Sequence, residues 1–294
     1  MNKLTKRDLR ALCDTAIIAA IQAGRYIQSQ FDQHYITQSK EGGDSLASQV
    51  VTEVDIKAQK IILAHLEESI IAYDLGLLTE ELEDDHSRAV KDFFWCIDPM
   101  DGTLPFTERR TGYAVSIALI SKAGDPEIGV VYIPDLAVCY SAIKGEGLAI
   151  NDKPFLRGEN RAVDSLHMYM DRSFTTESYF ELVKNQLKEL AERQKVTVQF
   201  HEDFGGVRNA IGVMTSGKGC YFKFPKKKKG CGSIWDYAAT RLFFEELSLP
   251  VSNAKGDSLY LNNLHTTFMN DVGILYATEE KLSAFIKELG RKIA

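Results

Sequence analysis

The 294-residue sequence predicts an α+β first half joined to an α/β second half. Three observations carry this. Two amphipathic helix patterns open the chain, strand-like runs separated by proline and glycine turns follow, and beyond about residue 150 strand-like and helix-like segments alternate. The boundary is placed there, giving halves 1–150 and 151–294.

From about Lys6 to Phe31, Leu9, Leu12, Ala16, Ile17, Ala20, Ala23 and Ile27 recur at steps of three and four, which gives one helix an apolar face. Lys40-Glu41-Gly42-Gly43-Asp44-Ser45 reads as a polar loop. A second helix is expected from near Asp55 to Glu68, with Ile56, Ile61, Ile62, Ala64 and Leu66 as its core side. Phe93-Phe94-Trp95-Cys96-Ile97 reads as a buried strand that Asp98-Pro99 ends. Tyr113–Ser121, Ile128–Ile133 and Ala137–Ile143, separated by Gly124-Asp125-Pro126 and Pro134-Asp135, predict an antiparallel meander. Further on, helices are expected over Ser178–Arg193, Gly205–Ser216, Trp235–Leu247 and Glu279–Ile293. Strands are expected over Lys195–Phe200, Cys220–Phe224 and Val272–Ala277.

Hydrophobic residues at 45 % and charged residues at 26 % are ordinary globular proportions. The formal charge of −6 excludes the global positive field of a nucleic-acid polymer binder, yet leaves room for a small anionic substrate. No stretch approaches the roughly 20 apolar residues that span a bilayer, and the polar start reads as the lead into a helix rather than a signal peptide. Cys13, Cys96, Cys139, Cys220 and Cys231 are scattered and form no CxxC pair, so free buried thiols in a reducing cytoplasm are expected. The six histidines are isolated along the chain, and none is assigned a catalytic part.

Asp98-Pro99-Met100-Asp101-Gly102-Thr103 carries the chemistry. Two carboxylates three positions apart converge at a strand end if proline turns the chain, and oxygen ligands suit a hard cation such as Mg²⁺. Gly102 and Thr103 follow with backbone N–H groups and a hydroxyl suited to a phosphate. Phosphatases with an aspartate nucleophile separate their pair by one residue, whereas Pro99 and Met100 intervene here, which argues against a covalent route. Three more acidic segments accompany the motif: Asp55 at a helix start, Glu80-Glu81 after an apolar pair, and Asp236 in Trp235-Asp236-Tyr237-Ala238-Ala239, whose alanines allow tight helix packing. Each alone also reads as a solvated acid or a helix cap.

In this order, from about Lys40 to Glu246, the segments resemble the inositol monophosphatase-like family of Mg²⁺-dependent, lithium-sensitive phosphatases, which includes 3′(2′),5′-bisphosphate nucleotidases. The resemblance implies a layered α-β-α-β-α sandwich, also found in fructose bisphosphatases, and a phosphomonoesterase acting through metal-activated water. It implies two to three Mg²⁺: one on Glu80, Asp98 and the Met100 carbonyl, a second on Asp98, Asp101 and Asp236, and a weaker third near Glu80. Glu81 and Thr103 would activate the water, with Asp55 supporting them. Gly102 and Thr103 would grip the phosphate. Gly205, Gly206 and Val207 would form the substrate loop, and Lys40 the basic residue of a mobile loop. A homodimer is likewise implied.

Inositol monophosphatases place a Glu on the segment leading to the Trp-Asp motif. Here that segment reads Tyr221-Phe222-Lys223-Phe224-Pro225, followed by Lys226–Lys229, with no acid. Substrates therefore stay open between an inositol or sugar monophosphate and 3′-phosphoadenosine 5′-phosphate, for which the lysine run would hold the second phosphate. A solvated loop is the plainer reading of that run; Arg109, Arg110 and Arg208 are further candidates for the same phosphate, with surface charge as their plainer reading. A non-catalytic, metal-dependent anion-binding protein is the alternative outside enzymology.

Overall fold

The computed structural model describes residues 4–34, 37–39, 50–158 and 164–293. Lys40 and the 41–45 loop lie outside the described residues. Helix α1 spans Lys6–Gln30 and starts at a capping box in which Thr5 and Asp8 satisfy each other's backbone N–H groups. Strands β1 (Thr37–Ser39) and β2 (Val50–Thr52) pair antiparallel. Helix α2 (Glu53–Ala72) begins at a second capping box, Thr52 with Asp55. Strand β3 (Gly76–Thr79) then pairs parallel with β4 (Phe93–Asp101). After the short helix α3 (Thr103–Thr107) come β5 (Ala114–Ser121), β6 (Pro126–Ile133), β7 (Val138–Ile143), β8 (Leu148–Ile150) and β9 (Lys153–Pro154). From β4 to β9 each strand pairs antiparallel with the next, which is the expected meander.

The second sheet has the order β11-β10-β12-β14-β13. Its elements along the chain are β10 (Ser165–Tyr169), α4 (Phe180–Arg193), β11 (Thr197–His201), α5 (Gly206–Thr215), β12 (Gly219–Lys223), α6 (Ile234–Glu246), β13 (Val251–Ser252), β14 (Ile274–Ala277) and α7 (Glu280–Ile293). β10 is parallel to both β11 and β12, and β14 is antiparallel to its neighbours.

Strand alternation sorts these elements into layers. Trp95, Ile97, Val115, Ile117 and Val130 face one side of the first sheet and pack with Ala16, Ala20, Ala23 of α1 and Ile62, Leu66 of α2. Phe94, Cys96, Ala118 and Val131 face the other side, where they meet Ala210 of α5, Ala238 and Leu242 of α6, and Tyr221 and Tyr276 from the second sheet. The outer face of that sheet, Leu166, Met168 and Phe222, packs under Leu187 of α4 and Ile286 of α7. The succession α1/α2, sheet, α5/α6, sheet, α4/α7 is the layered α-β-α-β-α sandwich that the resemblance implied.

Two local expectations need correction. Pro99 does not end β4. The strand runs on to Asp101, and its register against β5 shifts between Asp98 and Asp101. A proline fits such a bulge because the extra residues need no ladder partner. β3 and β10 were not anticipated: four and five residues respectively show no alternation that separates them from loop. The five thiols are buried and unpaired, as expected. Among the described residues no helix is long and apolar enough to cross a membrane.

Candidate metal-binding active site

The bulge in β4 turns both Asp98 and Asp101 toward the start of α6. Asp98, Asp101 and Asp236 each bring a carboxylate oxygen into a cluster whose atoms lie within 4.8 Å of one another, the one such group among the described residues. Asp98 and Asp101 are buried. The Asp98 carboxylate accepts from the Met100 N–H at 3.0 Å, which tightens the turn through Pro99. Asp236 is not the cap of α6 but its third residue. Ser233 is the cap, and its N–H donates to Asp236 at 2.6 Å, so the capping box also fixes the acid.

Asp101 is held by the start of α5. The N–H groups of Gly206 and Val207 both donate to its carboxylate at 2.9 Å, where the positive end of the helix favours an anion. Of the expected substrate loop, Gly205 and Gly206 line the cleft, and the amides of Gly206 and Val207 donate to Asp101. Gly205 is required by close approach, because a Cβ there would lie 2.4 Å from the Asp101 carboxylate.

Glu80 lines the same cleft, with its N–H on the Ile97 carbonyl of β4 at 3.1 Å. It lies outside the tight group of three but within electrostatic reach of it. Burial first, then Glu80 and the neighbouring aspartates, pushes Asp98 well above the carboxylate range. Burial and Asp236 do the same to Asp101 against the opposing helix amides. Asp236 is raised to about 6 by burial and Glu80, with Lys223 pulling the other way. Acids crowded together that repel one another and offer only oxygen ligands fit a divalent hard cation, which would offset both the cost of burying their charge and the repulsion.

Thr103 stands beside this group at the start of α3, after Gly102. Gly102 has φ +86° and would clash with the Gly112 carbonyl if it carried a Cβ, so glycine is needed there. The Thr103 hydroxyl reaches Asp55 at 2.9 Å and the Met100 carbonyl at 3.1 Å. Asp55 is buried, and burial raises it to about 6 in spite of its bonds from Thr52 and Thr103. The Glu81 N–H donates to Gln59 Oε1 at 3.1 Å. Gln59 is one helical turn beyond Asp55, so two successive turns of α2 position Thr103 and Glu81.

The cleft encloses about 830 Å³. Besides the acids it is lined by Trp235, Phe204, Arg110, Arg172, Lys223 and Lys226–Lys229. Several of these cations are matched: Arg110 and Arg172 with Glu108, and Lys226 with Glu177. Sequence reasoning did not single out Arg172, Asp171 or Lys223 as a group, since they come from the ends of two different strands. Arg208 is no surface charge: its side chain is largely buried against Asp135, tying α5 to the turn after β6. His167 and His201, far apart along the chain, pair at 2.9 Å with stacked rings, but neither lines the cleft.

A layered sandwich with a buried polycarboxylate centre between its sheets defines the class: a two-sheet α/β protein built around an oxygen-ligand cation site. The family model described as the inositol monophosphatase family matches residues 8–293. The chain is 28 % identical over 289 residues to an inositol-1-monophosphatase of Mesorhizobium japonicum, covering 93 % of this chain and 98 % of that one. It is 24 % identical over 259 residues to the Nus factor SuhB of Escherichia coli K12, covering 86 % and 89 %. Among solved structures, a Thermotoga maritima IMPase superposes with a TM-score of 0.72 at 18 % identity, over 96 % of this chain and 98 % of that chain. The extragenic suppressor protein suhB of Bartonella henselae gives 0.71 at 22 %, over 96 % and 99 %. The chain belongs to the inositol monophosphatase family and is a phosphoric monoester hydrolase of that family.

Proposed function

We propose that this protein hydrolyses a small phosphate monoester, an inositol or sugar monophosphate, with Mg²⁺ held by Glu80, Asp98, the Met100 carbonyl, Asp101 and Asp236. The observation that carries the reading is the convergence of Asp98, Asp101 and Asp236 on one point beside the Thr103–Asp55 pair. Bound there, divalent cations would act as Lewis acids on the phosphoryl group and lower the pKa of water. Thr103 and Glu81 orient the attacking water. The Thr103 hydroxyl can take a proton from it while passing its own to Asp55, whose raised pKa of about 6 suits a proton acceptor near neutrality. The N–H groups of Gly102 and Thr103 hold phosphoryl oxygens. Gly205, Gly206 and Val207 act chiefly by fixing Asp101. Lithium sensitivity and a homodimer belong to the same reading, on the strength of the resemblance.

A second reading, hydrolysis of 3′-phosphoadenosine 5′-phosphate, is favoured by the lysines that line the cleft. Phosphate release from inositol 1-phosphate, a hexose monophosphate and 3′-phosphoadenosine 5′-phosphate, compared at one Mg²⁺ concentration, tests both. Release from none of them, with metal binding intact, favours a metal-dependent anion-binding protein.

A further inference from the structure

Glu80 and Glu81 are held differently from the other acids of the site. Asp98 and Asp101 lie on β4, an interior strand of its sheet, and Asp236 lies in the capped first turn of α6, so regular hydrogen bonding fixes them. Glu80 and Glu81 instead open the irregular segment between β3 and the 3₁₀ turn Ser87–Ala89. Leu82, Glu83, Asp85 and His86 of that segment are exposed. Glu80 repels both Asp98 and Asp236, and the same repulsion bears back on the segment that carries it.

The segment turns back onto a buried cation. Arg88 is 1 % exposed. Its Nε donates to Asp84 Oδ2 at 2.8 Å, while Asp84 Oδ1 accepts from the His86 N–H at 2.9 Å. Nη1 donates to Asn262 Oδ1 at 2.8 Å and Nη2 to the Asn263 carbonyl at 3.0 Å. Asn262, also buried, returns its amide to the Arg88 carbonyl at 3.3 Å and to the Lys122 carbonyl at 2.9 Å. The neighbouring Ser87 hydroxyl accepts from the Leu77 N–H of β3 at 2.9 Å. The second attachment leads toward Asp236. A few residues past Asn263, the Thr267 carbonyl accepts from the Ile234 N–H at 2.9 Å, and Phe268 bridges to Ser233 and lines the cleft. Ser233 is the cap whose N–H holds Asp236. One guanidinium, itself outside the cleft walls, therefore joins the segment that carries Glu80 to the segment that supports Asp236.

Stability does not account for a charge at this position, because a buried ion pair is commonly matched or bettered by apolar residues of the same volume. A planar fork that reaches three acceptors at once supplies fixed geometry, which a lysine cannot reproduce. We propose that Arg88 is a positioning residue for the metal site: it holds Glu80 against the repulsion of the acid cluster and in fixed relation to Asp236, so that Mg²⁺ meets its ligands already assembled. This rests on the Mg²⁺ reading of the site and adds to it a residue that touches no ligand.

The test is the calorimetric affinity for Mg²⁺ alone, without substrate, on the unmodified protein, Arg88→Gln, Glu80→Gln and the double variant, with each melting midpoint taken in EDTA. Arg88→Gln should bind Mg²⁺ about tenfold more weakly, the scale of one charge-assisted hydrogen bond. In the Glu80→Gln background the same change should alter Mg²⁺ affinity by less than about twofold, because the path through Glu80 is already cut. Arg88→Lys, which keeps the charge and loses the fork, should weaken Mg²⁺ as well. A purely structural Arg88 would instead lower the melting midpoint and leave Mg²⁺ affinity unchanged, or lower that affinity equally with and without Glu80. If Arg88→Gln does not fold, the half-buried Asp84→Asn gives an independent arm, in which Mg²⁺ affinity falls several-fold. Mg²⁺ affinity unchanged in the variants that fold, or additive in the double variant, overturns the positioning role and leaves the metal reading standing. No Mg²⁺ binding by the unmodified protein removes both.

Discussion

Removing divalent cations while raising the pH should destabilise this protein through its own acid cluster. Asp55 and Asp236 both rise from 3.8 to about 6 on folding, each chiefly by burial. A carboxyl raised in the folded state contributes stability that is fully present below its unfolded pKa and lost as pH rises through the folded one. At about 1.4 kcal/mol for each tenfold change in proton affinity, the two groups together lose on the order of 3 kcal/mol between pH 5 and pH 8. Asp98 and Asp101 shift in the same direction. For a chain of this size about 1 kcal/mol moves the melting midpoint by roughly 2 °C, so the midpoint in EDTA should fall by about 6 °C from this source. The half-buried pair His167 and His201 has lowered pKa values and therefore loses stability in the opposite direction, as pH falls. The assay is accordingly a difference: the melting midpoint in 5 mM Mg²⁺ minus that in EDTA, at several values from pH 5 to pH 8. The contributions of the histidines and of Asp55, which is not a proposed ligand, largely cancel, and the difference should widen by about 3 °C toward pH 8 through Asp236, where the cation meets ionised ligands without proton competition. A difference that is absent, or the same at both ends of the range, would refute the reasoning.

Three substitutions probe the parts separately. Gly205→Ala is compatible with a backbone φ of −67° but places a methyl 2.4 Å from Asp101; turnover should fall at least about tenfold and the Mg²⁺-dependent rise in melting midpoint should shrink, with the circular dichroism spectrum unchanged. Asp55→Asn removes a buried charge together with the proton acceptor for Thr103, so turnover should fall by about a hundredfold while the cation-free protein at pH 8 melts no lower than the parent, as differential scanning fluorimetry would show. Gln59→Leu takes away the acceptor of the Glu81 N–H; steady-state kinetics should show kcat down by about tenfold with KM nearly unchanged, and stability should fall by about 1–3 kcal/mol.

The Asp98–Asp101 pair was legible because its geometry is local: the two share one strand end. That Asp55 and Asp236 belong with it came only from the resemblance, since each alone reads as an acid in the capped first turn of a helix. The meander was legible because its turns carry proline and glycine. What connects distant segments was not. The bonds from Gly206 and Val207 to Asp101 span more than a hundred positions, and the sequence motif looks the same whether those amides face a substrate or an acid. Lys223 and Asp171 meet only because β10 and β12 are parallel neighbours, and β10 is a five-residue strand whose pattern does not announce it. Pro99 illustrates the reverse case: a local rule predicted a strand end, and the pairing of β4 with β5 overrode it through a bulge.

Phosphate release from a panel of small phosphate monoesters tests the central claim most directly, with the parent protein and Glu81→Gln side by side, in Mg²⁺, in EDTA, and after Mg²⁺ is restored. The account predicts release that stops in EDTA, returns with Mg²⁺, and is about a hundredfold or more slower in Glu81→Gln although that variant is still stabilised by Mg²⁺. Release that persists in EDTA, or no release from any ester by a protein that Mg²⁺ stabilises, would contradict it.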